Sequence, residues 1–437
     1  MTALETLPTM GREAVEQISR SKNEPEWMLD RRLQAWQIFE TLPMPARSDE
    51  EWKYSDISAL NLQSLIPYMS AAGEGVESPL RLDGNSSGLL THHNSETASR
   101  SLREEQAAQG VIFSDLDTAL REHPELVHQY FMTEAVQVGY NKFTALNAAL
   151  WSGGTFLYVP RGVDIALPLR TLYTLTAGGM SLFTHTLVVV EEGARASFVE
   201  EYTSRPVETL SLNAGVVEVV VGQSAKLTFI TLQEWRGQVL DLSTQRAVVG
   251  RDATLDWLVI GLSDGTSRTN VDAALRGKGA TAQMLGIIWG HGYQHTDFYT
   301  LQDHLAPYTT SDLLYKAALT DQSRSVFSGR IRVEKGAQGT DAYQTNRSLL
   351  LSDGASAFPS PNLEIEANEV RCSHGASVGK VDQDQLFYLM ARGIPRAQAT
   401  RMIVEGFFGD VLRREPVGAI RENLADLIAR KMDESER

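Results

Sequence analysis

The stretch that decides the fold is "VVVEEGARASFVEEY" at residues 188–202, where one β-rich run ends in a short turn and another follows. The same pattern returns in "VVVGQSAKLTFITLQ" (219–233), "AVVGRDATLDWLVIG" (247–261) and "ALRGKGATAQMLGII" (274–288). Each turn carries one alanine, and these alanines are spaced by 31, 28 and 27 residues. They are Ala194, Ala225, Ala253 and Ala280.

This spacing predicts a repeat architecture, because a fixed period of 20–50 residues is typical of solenoids and propellers. Each unit reads as strand, tight turn and strand, with almost no helix between units. That favours a β-solenoid or β-helix, since a propeller blade needs four strands in about 40 residues. Two later segments, "VEKGAQGTDAY" (333–343) and "LSDGASAFPSP" (351–361), repeat the turn less regularly. An ordinary β-sandwich with coincidental turns is the alternative.

Helical patterns flank the β-rich region and divide the chain into three parts. We predict a helical N-terminal region with loops over 1–150, a β-helix core over 151–380 and a helical C-terminal region over 381–437. In the first part, Asp115 or Asp117 is a candidate helix cap.

The C-terminal region reads as three helices. Asp382 is a candidate cap for the first, Pro395 a first-turn residue of the second and Pro416 the start of the third. The second helix presents an apolar stripe made of Ile403, Phe407, Phe408, Val411 and Leu412. Such helices can cover the end of a solenoid or form a docking surface, and the pattern alone leaves both open.

The composition of the chain limits the classes of function that it can have. The net charge of −15 argues against nucleic acid as a partner, because binding phosphates requires clustered Lys and Arg. The single cysteine excludes an intramolecular disulfide and fits a reducing compartment. The N-terminus has no apolar signal-peptide core, and runs such as "GVVEVVVG" (215–222) are too short to span a membrane. We therefore expect a soluble cytoplasmic protein without membrane contact.

The stretch "EVRCSHGASVGKVD" (369–382) contains the only cysteine and ends in something close to a phosphate loop. A Walker loop needs four residues between its glycines and a hydroxyl after the lysine. Here three residues separate Gly375 from Gly379, and Val381 stands where the hydroxyl is required. The chain should therefore not bind ATP through a P-loop.

The same stretch places Cys372 two residues before His374, so that in a strand both side chains point to one face. A nucleophilic enzyme would also need an orienting residue and an oxyanion hole, which the sequence does not reveal. Thiolate and imidazole together suit zinc, iron and iron–sulfur species, but one cysteine cannot hold a cluster alone. The pair is therefore half of a metal site completed by another subunit, or a buried cysteine beside a hydrogen-bonded histidine.

A second polar stretch is "HGYQHTDFYTLQDH" (291–304). It contains His291, His295, Asp297, Asp303 and His304. The spacing is similar to that of a zinc-protease helix, but the general-base glutamate is absent and the context is strand and turn. Isolated hydrogen-bonded side chains are the favoured interpretation, with a metal site as the alternative.

Two long segments resemble the SufB/SufD family of iron–sulfur cluster assembly proteins. One is "EPEWMLDRRLQAWQIFETLPMPARSDEEWKYSDI" (24–57), and the other spans 327–394. Within the second, "CSHGA" (372–376) followed by "LFYLMARGI" (386–394) is similar to the SufD type rather than the SufB type. The likeness extends over essentially the whole chain.

The resemblance implies a right-handed parallel β-helix between helical regions, and a scaffold subunit of a SufBCD-type complex rather than a complete enzyme. It implies pairing with SufB through the β-helices, or a homodimer when the chain is isolated. A transient iron–sulfur cluster would form at that interface, with His374 and Cys372 as metal ligands shared with the partner and no cofactor tightly bound to the isolated chain. The SufC ATPase would dock on the stripe of 395–412. A stand-alone polysaccharide enzyme and a purely structural partner are the rival functions.

Overall fold

The computed structural model describes residues 6–7, 9–70, 75–82, 84–414 and 418–435. In chain order the strands are β1 (Thr6–Leu7), β2 (Tyr68–Met69), β3 (Gly88–His93), β4 (Glu96–Leu102), β5 (Ile112–Asp115), β6 (Thr155–Val159), β7 (Leu169–Leu175), β8 (Ser181–Leu182), β9 (His185–Val190), β10 (Arg195–Ser204), β11 (Val207–Asn213), β12 (Val216–Val221), β13 (Lys226–Glu234), β14 (Gly237–Val249), β15 (Thr254–Gly261), β16 (Thr266–Leu275), β17 (Thr281–Gly290), β18 (His295–His304), β19 (Thr310–Leu319), β20 (Arg324–Val333), β21 (Asp341–Leu350), β22 (Ser356–Ile365) and β23 (Arg371–Lys380). The α-helices are α1 (Arg12–Ser21), α2 (Glu26–Thr41), α3 (Glu104–Ala108), α4 (Leu116–Glu122), α5 (Pro124–Tyr130), α6 (Lys142–Leu150), α7 (Gln383–Met390), α8 (Arg396–Leu412) and α9 (Gly418–Ser435). Short 3-10 helices lie at Glu50–Trp52 and Leu62–Ser64.

The strands form two long sheets that enclose a common core. Sheet I has the order β4-β3-β7-β10-β13-β15-β17-β19-β21-β23. Sheet II has the order β5-β6-β9-β12-β14-β16-β18-β20-β22, with β11 paired to β14 and β8 paired to β11. From β13 onwards the chain alternates between the sheets, and each strand lies parallel to and in register with the strand one turn earlier. The fold is therefore a parallel β-solenoid with helices toward both termini, as predicted, and not a β-sandwich.

The predicted turn alanines mark one side of each solenoid turn. Ala194, Ala225, Ala253 and Ala280 are buried, each directly before a strand of sheet I. The backbone ladder continues through this position, since the amide of Asp341 donates to the carbonyl of Thr309 as that of Thr310 does to Ala280. Threonine thus takes over from alanine in the last turns, which explains why the sequence repeat fades while the structure continues.

The space between the sheets, here called the lumen, is filled by side chains stacked in columns. In-register parallel pairing sets each residue directly over its counterpart one turn earlier, so one column collects residues about 30 positions apart. The central lumen is apolar, with Phe229, Trp257, Met284 and Leu313 as successive members of one column.

Helices cover the outer faces of the sheets rather than their ends. Side chains of α1, α2 and α6 pack with strands of sheet II, whereas α8 and α9 pack on the outer face of sheet I. Two predicted caps are present: Asp115 accepts from the Thr118 amide, and Asp382 accepts from the amides two and three residues later. Pro416, the predicted start of the last helix, lies outside the described residues.

The sheets begin earlier in the chain than residue 151. Strands β3 and β4 extend sheet I and β5 extends sheet II, so residues 88–115 of the N-terminal region already contribute to the two sheets. At the other boundary, the last strand ends at Lys380 and α7 begins at Gln383.

Candidate functional site

The site predicted from the sequence lies at the C-terminal end of the solenoid. Strands β22 and β23 are the last members of their sheets, and each pairs with only one neighbouring strand in the described structure. Leu363 and Ile365 on β22 align with the buried Ile331 and Val333 one turn earlier, yet both are more than a third exposed. This end therefore displays an uncovered layer of the solenoid core together with two free strand edges.

Cys372 and His374 both lie on β23 and face the lumen side. In-register pairing sets them directly over Ala342 and Gln344 of β21, two side chains that are buried in the lumen. The sequence prediction that the thiol and the imidazole share one face of a strand is therefore confirmed. Their surroundings differ, because Cys372 is half-buried against a small apolar cluster whereas His374 is exposed at the open end.

The environment of Cys372 disfavours its reactive form. Burial is the main cause that raises the pKa of the thiol above its ordinary value, and the nearby Asp341 carboxylate raises it further. A hydrogen bond with the backbone at Ala342 acts in the opposite direction but does not cancel these effects. Because the thiolate is the form that binds metals and attacks sulfur, the isolated chain holds this cysteine mainly as a neutral thiol.

Below the open end lies a polar layer that sequence reasoning missed. The Gln302 amide donates to the Ser311 hydroxyl at 2.6 Å, and His304 contacts Ser311 and Thr309 at 2.8 and 2.7 Å. Burial lowers the pKa of His304 to about 4, so this imidazole is neutral at physiological pH. The only available signal was the alternation of β18, which turns Gln302 and His304 to the same face.

The histidine-rich stretch 291–304 does not form one site. His304 faces the lumen, whereas Asp303 pairs with Arg332 at 2.7 Å. His295 lies 2.7 Å from Asp297, and His291 occupies a turn 3.8 Å from Asp264. The strand pleat separates these side chains onto opposite faces, so the alternative of a shared metal site in this stretch is not supported.

Metal-binding capacity is limited within the chain. Among the residues that the structure describes, no group of three or more His, Cys, Asp or Glu side chains is arranged to hold a metal ion. Cys372 and His374 offer one sulfur and one nitrogen ligand, fewer than the four protein ligands typical of a cluster. The donor chemistry fits iron–sulfur species, and a second chain would have to complete the ligand set.

The C-terminal helices divide the predicted docking stripe into two groups. Phe408 and Val411 are fully buried against sheet I, because the side of α8 that carries them faces the solenoid. Ile403, Phe407 and Leu412 are half-buried. Phe408 and Val411 are therefore core residues in this conformation and are not accessible to a partner, while the docking role of the helix stays a prediction.

Four other apolar side chains on α7 and α8 are exposed, and we refer to these four residues together as the α7 patch. Its members are Phe387, Tyr388, Met390 and Met402. Phe387 is 73% exposed, an unusual value for a large apolar side chain. In the sequence, this segment carries a family resemblance, but its pattern does not mark these side chains as exposed.

Comparisons with known proteins agree on one family. The domain described as "SUF system FeS cluster assembly, SufBD core domain" matches residues 173–407, and the SufBD N-terminal region matches residues 82–171. Bacillus subtilis SufD is 31% identical, with 98% of this chain and 99% of that protein aligned. Bacillus subtilis SufB is also 31% identical, over 93% and 90%, and a SufBD family protein of Staphylococcus haemolyticus is 32% identical, over 92% and 89%. No helix in the described part of the chain is long and apolar enough to cross a membrane.

Proposed function

The chain belongs to the SufB/SufD family of iron–sulfur cluster assembly proteins, and on that premise we propose that it is the SufD-type scaffold subunit of a SufBCD-type complex. The near-complete alignment with a SufD, somewhat longer than that with a SufB, supports the subtype. Family membership leaves the alternative of a stand-alone polysaccharide enzyme without support. The single unpaired cysteine favours action in the reducing cytoplasm.

One observation carries the proposal: Cys372 and His374 lie at the open end of the solenoid, beside strand edges that have no neighbour among the described residues. A SufB-type partner that adds its own solenoid end would cover the exposed Leu363 and Ile365. The same contact would bring further ligands next to His374. The nascent cluster is then cargo held between two chains, which explains why this chain supplies only half of a ligand set.

The SufC-type ATPase would bind through the α7 patch and the exposed parts of α8. Helix α8 is fastened to the solenoid through Lys316 of β19, whose ammonium lies 2.7 Å from both the Phe407 carbonyl and the Asp410 carboxylate. Strand β19 pairs with β21, which pairs with β23. Movement of the helices during ATP binding would therefore reach the strand that carries Cys372 and His374, and could open the interface to iron and sulfur.

The test is His374→Ala in the complex reconstituted with a SufB-type partner and a SufC-type ATPase. We expect bound iron and sulfide to fall at least about tenfold, because the imidazole ligand is lost while the exposed position tolerates alanine. Ser373→Ala is the matched control, since Ser373 lies on the same strand but faces the other side, over Tyr343.

Size-exclusion chromatography of both variants must show an intact complex before iron is compared. If His374→Ala and Cys372→Ala, singly and together, leave iron and sulfide unchanged, the chain is a purely structural partner and the proposed cluster role is wrong.

A further inference from the structure

One lumen column changes character at the open end. Its members on successive strands of sheet I are Leu169, Phe198, Phe229, Trp257, Met284, Leu313, Gln344 and His374. Six apolar side chains are thus followed by an amide and then by the imidazole of the site. The switch occurs one turn before the open end, directly beneath His374.

Gln344 is buried in an unusual way. It is 0% exposed, and it is the only described side chain in which two buried polar atoms, here Oε1 and Nε2, both lack a hydrogen-bond partner. Gly329 on the opposite sheet provides the room, because a Cβ at that position would collide with the Gln344 amide. The end of the lumen is therefore shaped to hold this amide.

Stability alone does not account for the glutamine. Each buried polar group without a partner lowers the stability of the fold, whereas an apolar side chain of similar size avoids that cost. The chain itself places Leu313 at the equivalent position one turn earlier. The amide is retained at a cost, and the residue paired directly over Gln344 is His374, on a strand at the ordinary spacing of about 4.8 Å.

We propose that Gln344 is a positioning residue for His374. Its Oε1 is unpaired in the structure, and when the exposed ring of His374 turns toward the lumen, this oxygen accepts a hydrogen bond from the nearer ring nitrogen, so that the other ring nitrogen presents its lone pair to iron at the interface. A metal-binding imidazole needs such an acceptor on its second nitrogen, which fixes both the tautomer and the ring orientation. The inference rests on the proposed function for the role of His374, but the hydrogen bond itself can be tested without a cluster.

The first measurement uses the full chain without metal, labelled with ¹⁵N-histidine. We expect one ring N–H proton of His374 to be protected from exchange with water and visible by NMR, identified by its loss in His374→Ala. Gln344→Leu should abolish that signal, while Gln344→Glu, which keeps an acceptor oxygen, should retain it. Asn346→Leu is the matched control, because Asn346 also carries a buried unpaired oxygen but lies under Ala376.

The second measurement is iron and sulfide bound by the reconstituted complex. Gln344→Leu should lower both by about 10- to 100-fold, the usual cost of removing a residue that orients a metal ligand, and Gln344→Glu should restore most of the loss. Because leucine already occupies this column at Leu313, the variant should fold with an unchanged or higher melting temperature. Gln344→Met serves the same purpose if leucine does not fold.

The outcomes separate the two proposals. If Gln344→Leu leaves the ring N–H signal and the cluster yield as in the unmodified chain, the positioning role is overturned even when His374→Ala destroys the site. If Gln344→Leu removes the signal while His374→Ala leaves iron binding intact, the hydrogen bond is confirmed and the proposed function fails.

Discussion

The two ends of the solenoid are built from the same repeat and finished in opposite ways. At the N-terminal end, β4 runs antiparallel to β3 and carries the polar sequence "ETASRSL", while β5 has four residues and leads directly into α4. Short edge strands and charged side chains are common ways to prevent further strand pairing. The three described strands at this end present no exposed large apolar side chain.

The C-terminal end is finished by longer strands among its described residues, although β22 carries Pro359 and Pro361 and β23 is polar in sequence. Strands β22 and β23 have ten residues each, run parallel to their neighbours and expose Leu363, Ile365 and Val378. Helices α8 and α9 could have covered this end but pack on the side of sheet I instead. The difference teaches that apolar side chains of the last turn are exposed at the C-terminal end, whereas the described strands of the N-terminal end expose none of comparable size.

The largest expected effect concerns α8 and α9, the helices that pack on sheet I and do not cover the C-terminal end of the solenoid. Phe408→Ala should lower the free energy of opening of α8 by about 3–5 kcal/mol, because it removes a fully buried ring from the interface with sheet I. Native-state hydrogen exchange of the α8 amides measures this opening locally, without assuming two-state unfolding of the whole chain.

Phe387→Ala is the matched control, since it truncates the same side chain at an exposed position of α7. It should leave α8 exchange unchanged within about 0.5 kcal/mol and yet weaken co-purification of the ATPase. If the α8 amides exchange equally in both variants, the stability of α8 does not depend on its buried face. The contrast between buried and exposed side chains on these helices would then be wrong.

The next effect concerns the open end itself. A double change, Leu363→Lys with Val378→Lys, should weaken association with a SufB-type partner by about a hundredfold or more, because pairing would bury two charges without partners. Analytical ultracentrifugation of the mixed proteins gives the dissociation constant. Circular dichroism should show no change, since both side chains are exposed in the isolated chain.

Ala98→Lys at the exposed edge strand β4 tests the other side of the comparison. It should leave association unchanged, because the exposed surface of β4 is already polar. Loss of binding in Ala98→Lys together with full binding in the double variant would reverse the assignment of the two ends.

The sequence predicted the solenoid because small residues recur where the chain must turn tightly between sheets. Ala194 to Ala280 gave the period, and it faded where Thr309 and Thr340 took the same place, since a threonine is not recognisable as the same position without the register. The two ends could not be told apart, because strand pairing joins residues about 30 positions distant and no local pattern states which edge stays free.

The site was predictable only as far as local geometry reaches. The two-residue period of a strand brings Cys372 and His374 to one face, and this needed no knowledge of the fold. Gln344 could not be found, because it meets His374 through pairing between separate turns. The apolar stripe of α8 indicates that one side of the helix is buried, but it does not indicate which surface covers that side. Phe408 and Val411 therefore read equally well as docking residues and as core residues.

The smallest expected effect sharpens the chemical side of the comparison, because the open end carries the only thiol of the chain, Cys372. Its raised pKa means less thiolate at a given pH, so the pH at which alkylation by iodoacetamide reaches half its maximal rate should lie higher in the folded chain than in urea. Steric hindrance would lower only the plateau rate, so the midpoint pH depends on the pKa of the thiol alone.

Asp341→Asn should move this midpoint part of the way back toward the value in urea, since burial remains the larger cause of the raised pKa. Mass spectrometry of the quenched reaction measures the rates, and identical midpoints in folded and unfolded chain would show that the open end does not hold its thiol in the protonated, unreactive form until a partner arrives.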